Sequence, residues 1–511
     1  MGRKILFVTT DQQRYDSLGC NGGTVARTPV LDRLAAEGIN YRRAMNQNVV
    51  CMPARSSMLT GQYVRTHGVY ANGVPLPADA PSIAAHLNDH GYRTALLGKA
   101  HFEPAMDLRG RWPENRLAAE DSTGPHRGFE HLELAMHGPM PLWHYGKWLM
   151  GQPGHHERGF YQLFVTGPDG RLAMNGAGGG DTGATQLAVN PVPRELYHTD
   201  WTAERAIAWL RSLDAEDDWF CWVSFPDPHH PWDPPASELG RVDWHDLDLP
   251  EAHPGSAEAC RKILESKPRH WLAYFEGWHA NLEGGPADFV PAQMTHDQVR
   301  EVNAFTHIEN ELIDEAVGRV LDCVAERGWA GDTDVVFTTD HGELQGDFGL
   351  LFKGPYHCEA LMHLPLIWRP APSAGIAPAV VEDPVGHVDL AATFATIAGL
   401  EIPDWVQGTA LPTGPDRRRE RMITEWDSQF AEEDLHLRSL YRDGWLVTAY
   451  EEGGGYDGGE GELYDLAEDP LQWNNRWDDP AYRARRDELV TDLYDNLPPS
   501  RPERLAVEAP V

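Results

Sequence analysis

The sequence predicts an α/β protein in which a large mixed sheet lies between helix layers, with a smaller α+β subdomain at the carboxyl end. Short apolar runs with strand character alternate with amphipathic helical runs along most of the chain. Acidic, basic and imidazole side chains follow directly after several of these strands, where open α/β sheets gather their ligands. The 511 residues are enough for one large core and a second, smaller unit.

The elements follow in a regular order. Strands are predicted at 4–9, 94–97, 219–225, 334–339 and 364–368, and helices at 29–38, 82–87, about 200–213, about 297–327 and 387–400. The segment 104–195, rich in Gly, Pro, His and Trp, is expected to be an irregular lid or pocket wall. The segment 232–295 is a second insertion rich in Trp, Pro and Gly, whose tryptophans either line a pocket or, as we favour, pack in the interior. A linker at about 408–419 divides a catalytic domain, 1–407, from a C-terminal subdomain, 420–511, which holds a hairpin and a terminal helix.

Charge and cysteine usage exclude several classes of protein. The formal net charge of −35 disfavours nucleic acid and anionic membranes as partners. Six scattered cysteines without a CxxC pair argue against a zinc ribbon and against a disulfide framework. The amino-terminal segment lacks the features of a signal peptide, and no run reaches the length of a membrane span. We therefore expect a cytoplasmic protein in which any anion site is a local cationic pocket. We also expect a homo-oligomer.

The segment Cys51-Met52-Pro53-Ala54-Arg55 is the strongest chemical signal in the chain. Pro53 disfavours a central strand, and the run Ser56–Leu59 that follows can open a helix. A group at Cys51 would then face helix N–H donors and the Arg55 guanidinium, which together favour negative charge. A buried structural cysteine is the ordinary alternative. A cysteine phosphatase does not fit, because its loop needs five residues between Cys and Arg and this chain has three.

Polar residues at strand ends are the second signal. Asp11, Lys99 with His101, His229, and Asp340 with His341 each stand just beyond a predicted strand. Each has an ordinary structural interpretation, since Asp often caps turns and Lys is usually solvated. Their common position at the carboxyl edge of one sheet predicts instead that they meet in one site.

These strings closely resemble the sulfatase family. Cys-x-Pro-x-Arg followed by Ser-x-x-x-Thr-Gly matches its signature, and Gly-Lys-x-His at 98–101 matches its substrate-binding segment. Pro-His-x-Pro after a strand selects His229 over His230, and Leu-Tyr-Asp-Leu-x-x-Asp-Pro at 463–470 resembles sulfatase C-terminal domains. The resemblance implies an alkaline-phosphatase-like sheet and a place near the arylsulfatase, choline-sulfatase and phosphonate monoester hydrolase branches.

The resemblance also implies roles for particular residues. Cys51 would be oxidised to formylglycine by a formylglycine-generating enzyme. The implied catalytic residues are Cys51, Arg55, His101 and His229; the implied substrate-binding residues are Lys99, Lys353, Gln12 and Asn72; the implied ligands of one divalent metal are Asp11, Cys51, Asp340 and His341. Calcium-binding members typically have Asp and Asn where this chain has Gln12 and His341, so we expect Mn²⁺ rather than Ca²⁺.

The expected activity is hydrolysis of a small anionic ester, an aryl or small alkyl sulfate. A formylglycine hydrate would attack the ester and form a covalent sulfo-enzyme intermediate. A phosphonate monoester hydrolase or phosphodiesterase on the same site is the nearest alternative, and promiscuity between these esters is expected. Such enzymes usually lack Lys-x-His, which favours the sulfatase. An inactive binding homologue with unmodified Cys51 is the alternative from another class.

Overall fold

The computed structural model describes residues 3–105, 110–138, 140, 142–166, 172–174, 178–281, 283, 285–414, 419–428 and 434–509. Its strands are β1 Lys4–Thr10, β2 Ile39–Tyr41, β3 Ala44–Met45, β4 Arg93–Gly98, β5 His131–Leu134, β6 Phe164–Thr166, β7 Leu172–Met174, β8 Trp219–Ser224, β9 Thr333–Thr339, β10 His363–Leu364, β11 Leu366–Arg369, β12 Ala379–Val381, β13 Val385–Gly386, β14 Arg421–Asp427, β15 His436–Arg442, β16 Trp445–Tyr450 and β17 Gly461–Asp465. Its α-helices are α1 Pro29–Glu37, α2 Cys51–Thr60, α3 Val64–His67, α4 Ile83–Asp89, α5 Pro113–Ala119, α6 His144–Met150, α7 His198–Ser212, α8 Ala257–Leu264, α9 Arg269–Phe275, α10 His296–Glu326, α11 Glu359–Met362, α12 Leu390–Ile397 and α13 Arg483–Asp495.

The central sheet has eight strands in the order β12-β2-β11-β9-β1-β8-β4-β5. The five neighbours β9, β1, β8, β4 and β5 are all parallel, and β11 runs antiparallel to both β9 and β2. Because neighbouring parallel strands end at the same edge, the residues that follow these five strands converge there. The predicted large mixed sheet is confirmed.

The sheet is buried on both faces, and side chains along β1 alternate between two apolar cores. Ile5 and Phe7 pack with residues of α2, α4 and α12 on one side. Leu6 and Val8 pack with residues of α1, α7 and α10 on the other. This explains why β1 reads as a continuous apolar run in the sequence rather than as an alternating one.

The C-terminal subdomain contains a four-stranded antiparallel sheet, β14-β15-β16-β17, and α13 contributes Leu489 and Leu493 to its apolar core. Beyond α13, residues 499–509, which we call the C-terminal strap, return to the part of the chain that contains the central sheet. In the strap, the N–H of Arg501 donates to the carbonyl of Arg65 at 2.7 Å, and the N–H of Glu508 donates to the carbonyl of Gly73 at 2.8 Å. The tail is thus bound across the loop that carries Asn72. Residues 415–418 of the predicted linker lie outside the described residues.

Most predicted elements are present, and three expectations are corrected. The helix predicted after Pro53 begins earlier, at Cys51, so that Pro53 lies in its first turn, where a missing N–H costs nothing. The segment 104–195 is not wholly irregular, because it contains α5, β5 and α6. The predicted strand 364–368 is two short strands, β10 and β11, in different sheets.

No helix in the described part of the chain combines the length and the apolar character that crossing a bilayer requires.

Candidate active site

Polar side chains follow all five parallel strands at one edge of the central sheet. Asp11 and Gln12 follow β1, Asp340 and His341 follow β9, and Lys99 and His101 follow β4. His229 follows β8, and His137 follows β5. Gly98 makes the turn after β4 possible: its φ is +104°, and a Cβ there would lie 1.9 Å from the carbonyl oxygen of Ser224. The close approach of β4 to β8 directs Lys99 into the site.

Helix α2 presents Cys51 to this edge. Cys51 occupies the first helical position, where backbone N–H groups and the helix dipole favour negative charge. All ten residues of α2 are buried. The helix ends at Gly61, which has a φ of +66°, and a Cβ there would lie 2.8 Å from that of Ala391. The packing against α12 therefore fixes the helix that carries Cys51.

The predicted metal ligands surround the Cys51 sulfur. Sγ lies 3.1 Å from His341 Nε2 and 3.6 Å from Asp11 Oδ1. His341 Nε2 is 3.7 Å from carboxylate oxygens of both Asp11 and Asp340. One ligand atom from each of the four residues lies within 4.8 Å of the others. The structure thus brings together residues that are up to 330 positions apart in the sequence.

This donor set fits a divalent cation. Two buried carboxylates and one imidazole are ligands that Mn²⁺ and related transition metals accept. The imidazole is oriented for ligation, because His341 Nδ1 donates to the carbonyl of Gly342 at 2.9 Å and leaves Nε2 unprotonated. The Sγ atom of Cys51 stands where an oxygen of formylglycine would lie. Burial raises the pKa of the Cys51 thiol to about 12, so the unmodified side chain is a neutral thiol and a poor nucleophile.

Arg55 is fully buried and contacts the carboxylates of both Asp11 and Asp340. Its Nε donates to Asp340 Oδ2 at 2.8 Å, and one terminal nitrogen lies 3.5 Å from Asp11 Oδ2. The other terminal nitrogen donates at 2.8 Å to both Ser224 Oγ and the carbonyl of Lys99. The guanidinium therefore ties together the ends of four strands, β1, β9, β8 and β4.

Two lysine ammonium groups lie next to the sulfur. Lys99 Nζ is 3.7 Å from Sγ and Lys353 Nζ is 3.6 Å from it. Lys99 is ion-paired with Asp11, and Lys353 donates to Gln12 Oε1 at 2.7 Å. Burial alone would raise the pKa of Asp11, but Lys99, with His229 and Arg55, holds it well below its usual value. The two ammonium groups form a cationic pocket within a strongly acidic protein.

Two imidazoles extend this pocket away from Cys51. His229 Nε2 lies 2.6 Å from Lys353 Nζ, and His229 Nδ1 donates to the carbonyl of His230. His137 Nε2 lies 3.1 Å from Lys99 Nζ. The two rings stack with centroids 3.9 Å apart and planes 16° apart. Burial, together with the neighbouring cations, lowers the pKa of both imidazoles, to about 4 for His137.

Asp11, His137 and His229 also hold ligand atoms within metal-binding distance of one another. The ammonium groups of Lys99 and Lys353 already contact these three residues. At this second cluster, the two lysine side chains thus supply the positive charge that a metal ion would otherwise bring.

The remaining predicted residues lie nearby and differ in how many hydrogen bonds their side chains make. Both ring nitrogens of His101 are buried and have no hydrogen-bond partner among the described residues. Asn72 is fully engaged, because its Oδ1 accepts from the N–H of Met52 and its Nδ2 donates to Glu283. Gln12 donates to Glu343 and contacts His230 Nδ1 at 3.1 Å. His230 therefore contacts Gln12, whereas His229 contacts Lys353.

His137 is the site residue that the sequence analysis missed. It lies three positions beyond β5, a four-residue strand within the segment that was expected to be irregular. The strand His131–Leu134 alternates half-buried polar with buried apolar side chains. That pattern, followed by a polar residue, is the only signal in the sequence that could have identified this fifth strand end, and it is weaker than the apolar runs that identified the other four.

Comparison with known proteins agrees with this geometry. The model of the family described as Sulfatase matches residues 3–400. The chain belongs to the sulfatase family. The matched span contains every residue of the site described above.

Two relatives of this sulfatase-family chain cover nearly all of it. An arylsulfatase of Clostridium perfringens is 26% identical over 508 residues, which are 97% of this chain and 95% of that protein. A choline-sulfatase of Rhizobium meliloti is 24% identical over 487 residues, 93% of this chain and 82% of that protein. These homologues indicate a hydrolase that acts on sulfate esters.

The fold also matches a solved structure of another activity. The phosphonate monoester hydrolase of Agrobacterium radiobacter superimposes with a TM-score of 0.77 over 96% of this chain and 95% of that one, at 24% identity. This likeness shows that the sulfatase-family chain has the alkaline-phosphatase-like fold.

Proposed function

We propose that the protein hydrolyses aryl or small alkyl sulfate esters at the site centred on Cys51. One observation carries the proposal. A single nucleophile position lies against three metal ligands, His341 among them at 3.1 Å, and between two ammonium groups at 3.6 and 3.7 Å. A monoanionic ester bound above Cys51 would have its terminal oxygens beside Lys99 and Lys353, which supply charge stabilisation in a site shielded from water.

Two groups complete the proposed site. Formylglycine made from Cys51 by a formylglycine-generating enzyme would supply, as its hydrate, one hydroxyl to attack the ester and a second to release the product. A divalent cation, Mn²⁺ in our proposal, held by Asp11, Asp340 and His341 would lower the pKa of the attacking hydroxyl. Arg55 orients both carboxylates for this purpose, and its charge adds to that of Lys99 in favouring the ionised form of Asp11.

The protein's own groups handle the leaving alcohol. His229 Nδ1 is committed as a donor to the carbonyl of His230, so its Nε2 is the atom that can act on the ester. Lys353 donates to that Nε2 and can provide the proton that the departing oxygen needs. His101, whose ring nitrogens lack partners among the described residues, is available to orient the hydrated side chain.

Phosphonate monoesters and phosphodiesters are the second candidate substrates. Gln12 and His341 stand where such enzymes also carry Gln and His, and both residues face the Cys51 sulfur or its lysine neighbour in this structure. Lys99 favours the sulfate ester, since it places a second ammonium beside the nucleophile. We propose sulfate esters as the preferred substrates and phosphonates as weaker ones.

A paired assay tests the proposal. Wild-type protein, Cys51→Ala and the control Cys221→Ala, which removes another buried thiol, are compared on an aryl sulfate and an aryl phosphonate. We expect higher kcat/KM on the sulfate, loss of both activities in Cys51→Ala, and retention of both in Cys221→Ala. Full activity of Cys51→Ala would overturn the mechanism, and a preference for the phosphonate would reverse the substrate assignment.

Mass spectrometry of the peptide that contains Cys51 tests the maturation directly. Conversion of the thiol to the aldehyde lowers the peptide mass by about 18 Da. A fully unmodified peptide from protein that turns over neither ester would favour the inactive binding homologue.

A further inference from the structure

Two lysine–imidazole pairs lie side by side in the site. Lys353 contacts His229 at 2.6 Å, and Lys99 contacts His137 at 3.1 Å. Both lysines lie within 3.7 Å of Cys51 Sγ, and the two rings stack on one another at 3.9 Å. The four groups therefore surround the space above the nucleophile, with the lysines next to the sulfur and the imidazoles farther out.

The imidazoles also lie on the side of the site that opens outward. Both His137 and His229 are partly exposed, whereas Cys51, both lysines and the metal ligands are buried. In an in-line displacement the leaving oxygen departs opposite the attacking atom. An ester attacked from the position of Cys51 would therefore release its leaving group towards the stacked pair.

We propose that His137 is a second residue of the leaving-group site, whose Nε2 edge contacts the departing oxygen together with His229. This inference rests on the proposed function. Nε2 of each ring faces a lysine that adjoins the sulfur, so the two edges approach the same space from neighbouring sides. In the resting site Lys99 donates to His137 Nε2, so a proton passed from that ammonium to Nε2 would let the ring donate to the departing oxygen and stabilise the charge that develops there as the bond to sulfur breaks.

A structural role for His137 makes a different prediction. If the ring only holds Lys99 in place, its removal weakens the binding of the anionic centre, and the loss is the same for every ester. If it contacts the departing oxygen, the loss grows with the basicity of the leaving group, since poor leaving groups need the most stabilisation. Leaving-group dependence therefore separates contact with the ester from the positioning of Lys99.

The test uses purified full-length protein and a series of aryl sulfates whose phenols differ in pKa. The slope of log kcat/KM against phenol pKa is compared for wild type, His137→Ala, His137→Asn and His229→Ala. We expect His137→Ala to lower kcat/KM about 10²-fold for the most basic phenol and less than about threefold for the most acidic. His137→Asn should recover part of the loss, because its amide N–H can donate to the same oxygen.

The outcomes are distinguishable. A uniform loss across the series, or no loss, would overturn the role of His137 while the sulfatase activity of the wild type still stands. Absence of wild-type turnover of every aryl sulfate would overturn the proposed function itself, and this inference with it. Thermal melting of each variant identifies any that fail to fold, in which case His137→Asn, which is closer in size, decides the question.

Discussion

The Nζ atom of Lys353 lies 2.6 Å from Nε2 of His229, although the two residues are 124 positions apart in the chain. The lysine also lies 3.6 Å from Cys51 Sγ. One ammonium group thus contacts both the nucleophile position and the imidazole assigned to the leaving group. The binding of the ester's charged oxygens by Lys353 and the proton transfer through His229 are therefore coupled.

This coupling predicts that substitutions of Lys353 and His229 are not additive. We expect Lys353→Met and His229→Ala each to lower kcat/KM on an aryl sulfate by about 10²-fold or more, because each removes a group that acts in the transition state. The double variant should lose much less than the product of the two losses. Lys262→Met, at an exposed lysine, serves as the control, and strictly additive losses would argue against a shared role.

The hydrogen bonds of Arg55 predict that even a substitution that preserves its charge lowers both stability and activity. Arg55→Lys retains the positive charge but cannot make the hydrogen bonds to Asp340, Ser224 and the Lys99 carbonyl together. We expect the free energy of unfolding to fall by about 2 kcal/mol or more and kcat by at least about tenfold. Denaturant titration and kinetics check this against Arg211→Lys, an exposed pair with Glu326. Equal effects in the two variants would contradict the role assigned to Arg55.

The donor set predicts one divalent cation per chain. Treatment with a chelator should lower the melting temperature, and Mn²⁺ should restore it, because an ion at about 100 times its Kd stabilises the folded state by about 2.7 kcal/mol. Elemental analysis should find the ion in wild type and in Asp297→Asn, a surface control. Asp340→Asn should lack it. Equal metal content in both variants would place the ion elsewhere.

The contacts of the C-terminal strap predict that it stabilises the distant loop that carries Asn72. Removal of residues 499–511 deletes the hydrogen bonds to Arg65 and Gly73 and the bond from the Tyr70 hydroxyl to the carbonyl of Leu505. We expect a lower melting temperature and reduced kcat/KM, because Asn72 holds the first turn of α2 through the Met52 N–H. The control substitution Arg483→Ala, at an exposed residue of α13, should leave kcat/KM unchanged. A truncated protein with wild-type activity would show that the strap only covers the surface.

Buried His67 predicts loss of stability in mild acid. Its Nδ1 accepts from the N–H of Val69 at 3.1 Å, so a second proton cannot be accommodated there, and burial lowers its pKa to about 3. The unfolded chain takes up a proton near pH 6.5. The contribution is therefore complete above that pH and is lost as pH falls from about 6.5 towards 3, by about 1.4 kcal/mol per unit.

Melting temperatures between pH 7.5 and 4.5 measure this effect. His67→Gln should show a shallower decline than wild type, whereas His90→Gln, at an exposed histidine, should not. Identical pH profiles for His67→Gln and wild type would remove His67 as the source of the decline.

The sequence predicts the central sheet and most of the site because both depend on local signals. Strands β1 and β9 each contain an apolar run, at 5–8 and 335–337, and Asp11 and Asp340 follow these strands directly. Pro53 marks a break in strand character, but it does not tell where α2 begins, since proline fits equally at any first-turn position. The short strand β5 was missed, and with it His137, because four residues carry too little periodicity among Gly- and Pro-rich neighbours.

Other relationships could not be predicted because they arise only from packing. The sequence separates Lys353 from His229 by 124 positions, and only the path of the segment between β9 and β11 places Lys353 beside His229. The full engagement of Asn72 with Met52 and Glu283 likewise depends on a distant insertion. The role of Asn72 as a substrate ligand stays a prediction.

The complete burial of α2 restricts when Cys51 can be modified. Every residue from Cys51 to Thr60 is buried, and Arg55 is fully enclosed. Another enzyme therefore has no access to this segment in the folded chain. We infer that any maturation enzyme must meet this segment while it is still extended, before the core closes over it. A chain that folds before oxidation would keep Cys51 as a thiol. The active fraction of a preparation would therefore depend on the relative rates of oxidation and folding.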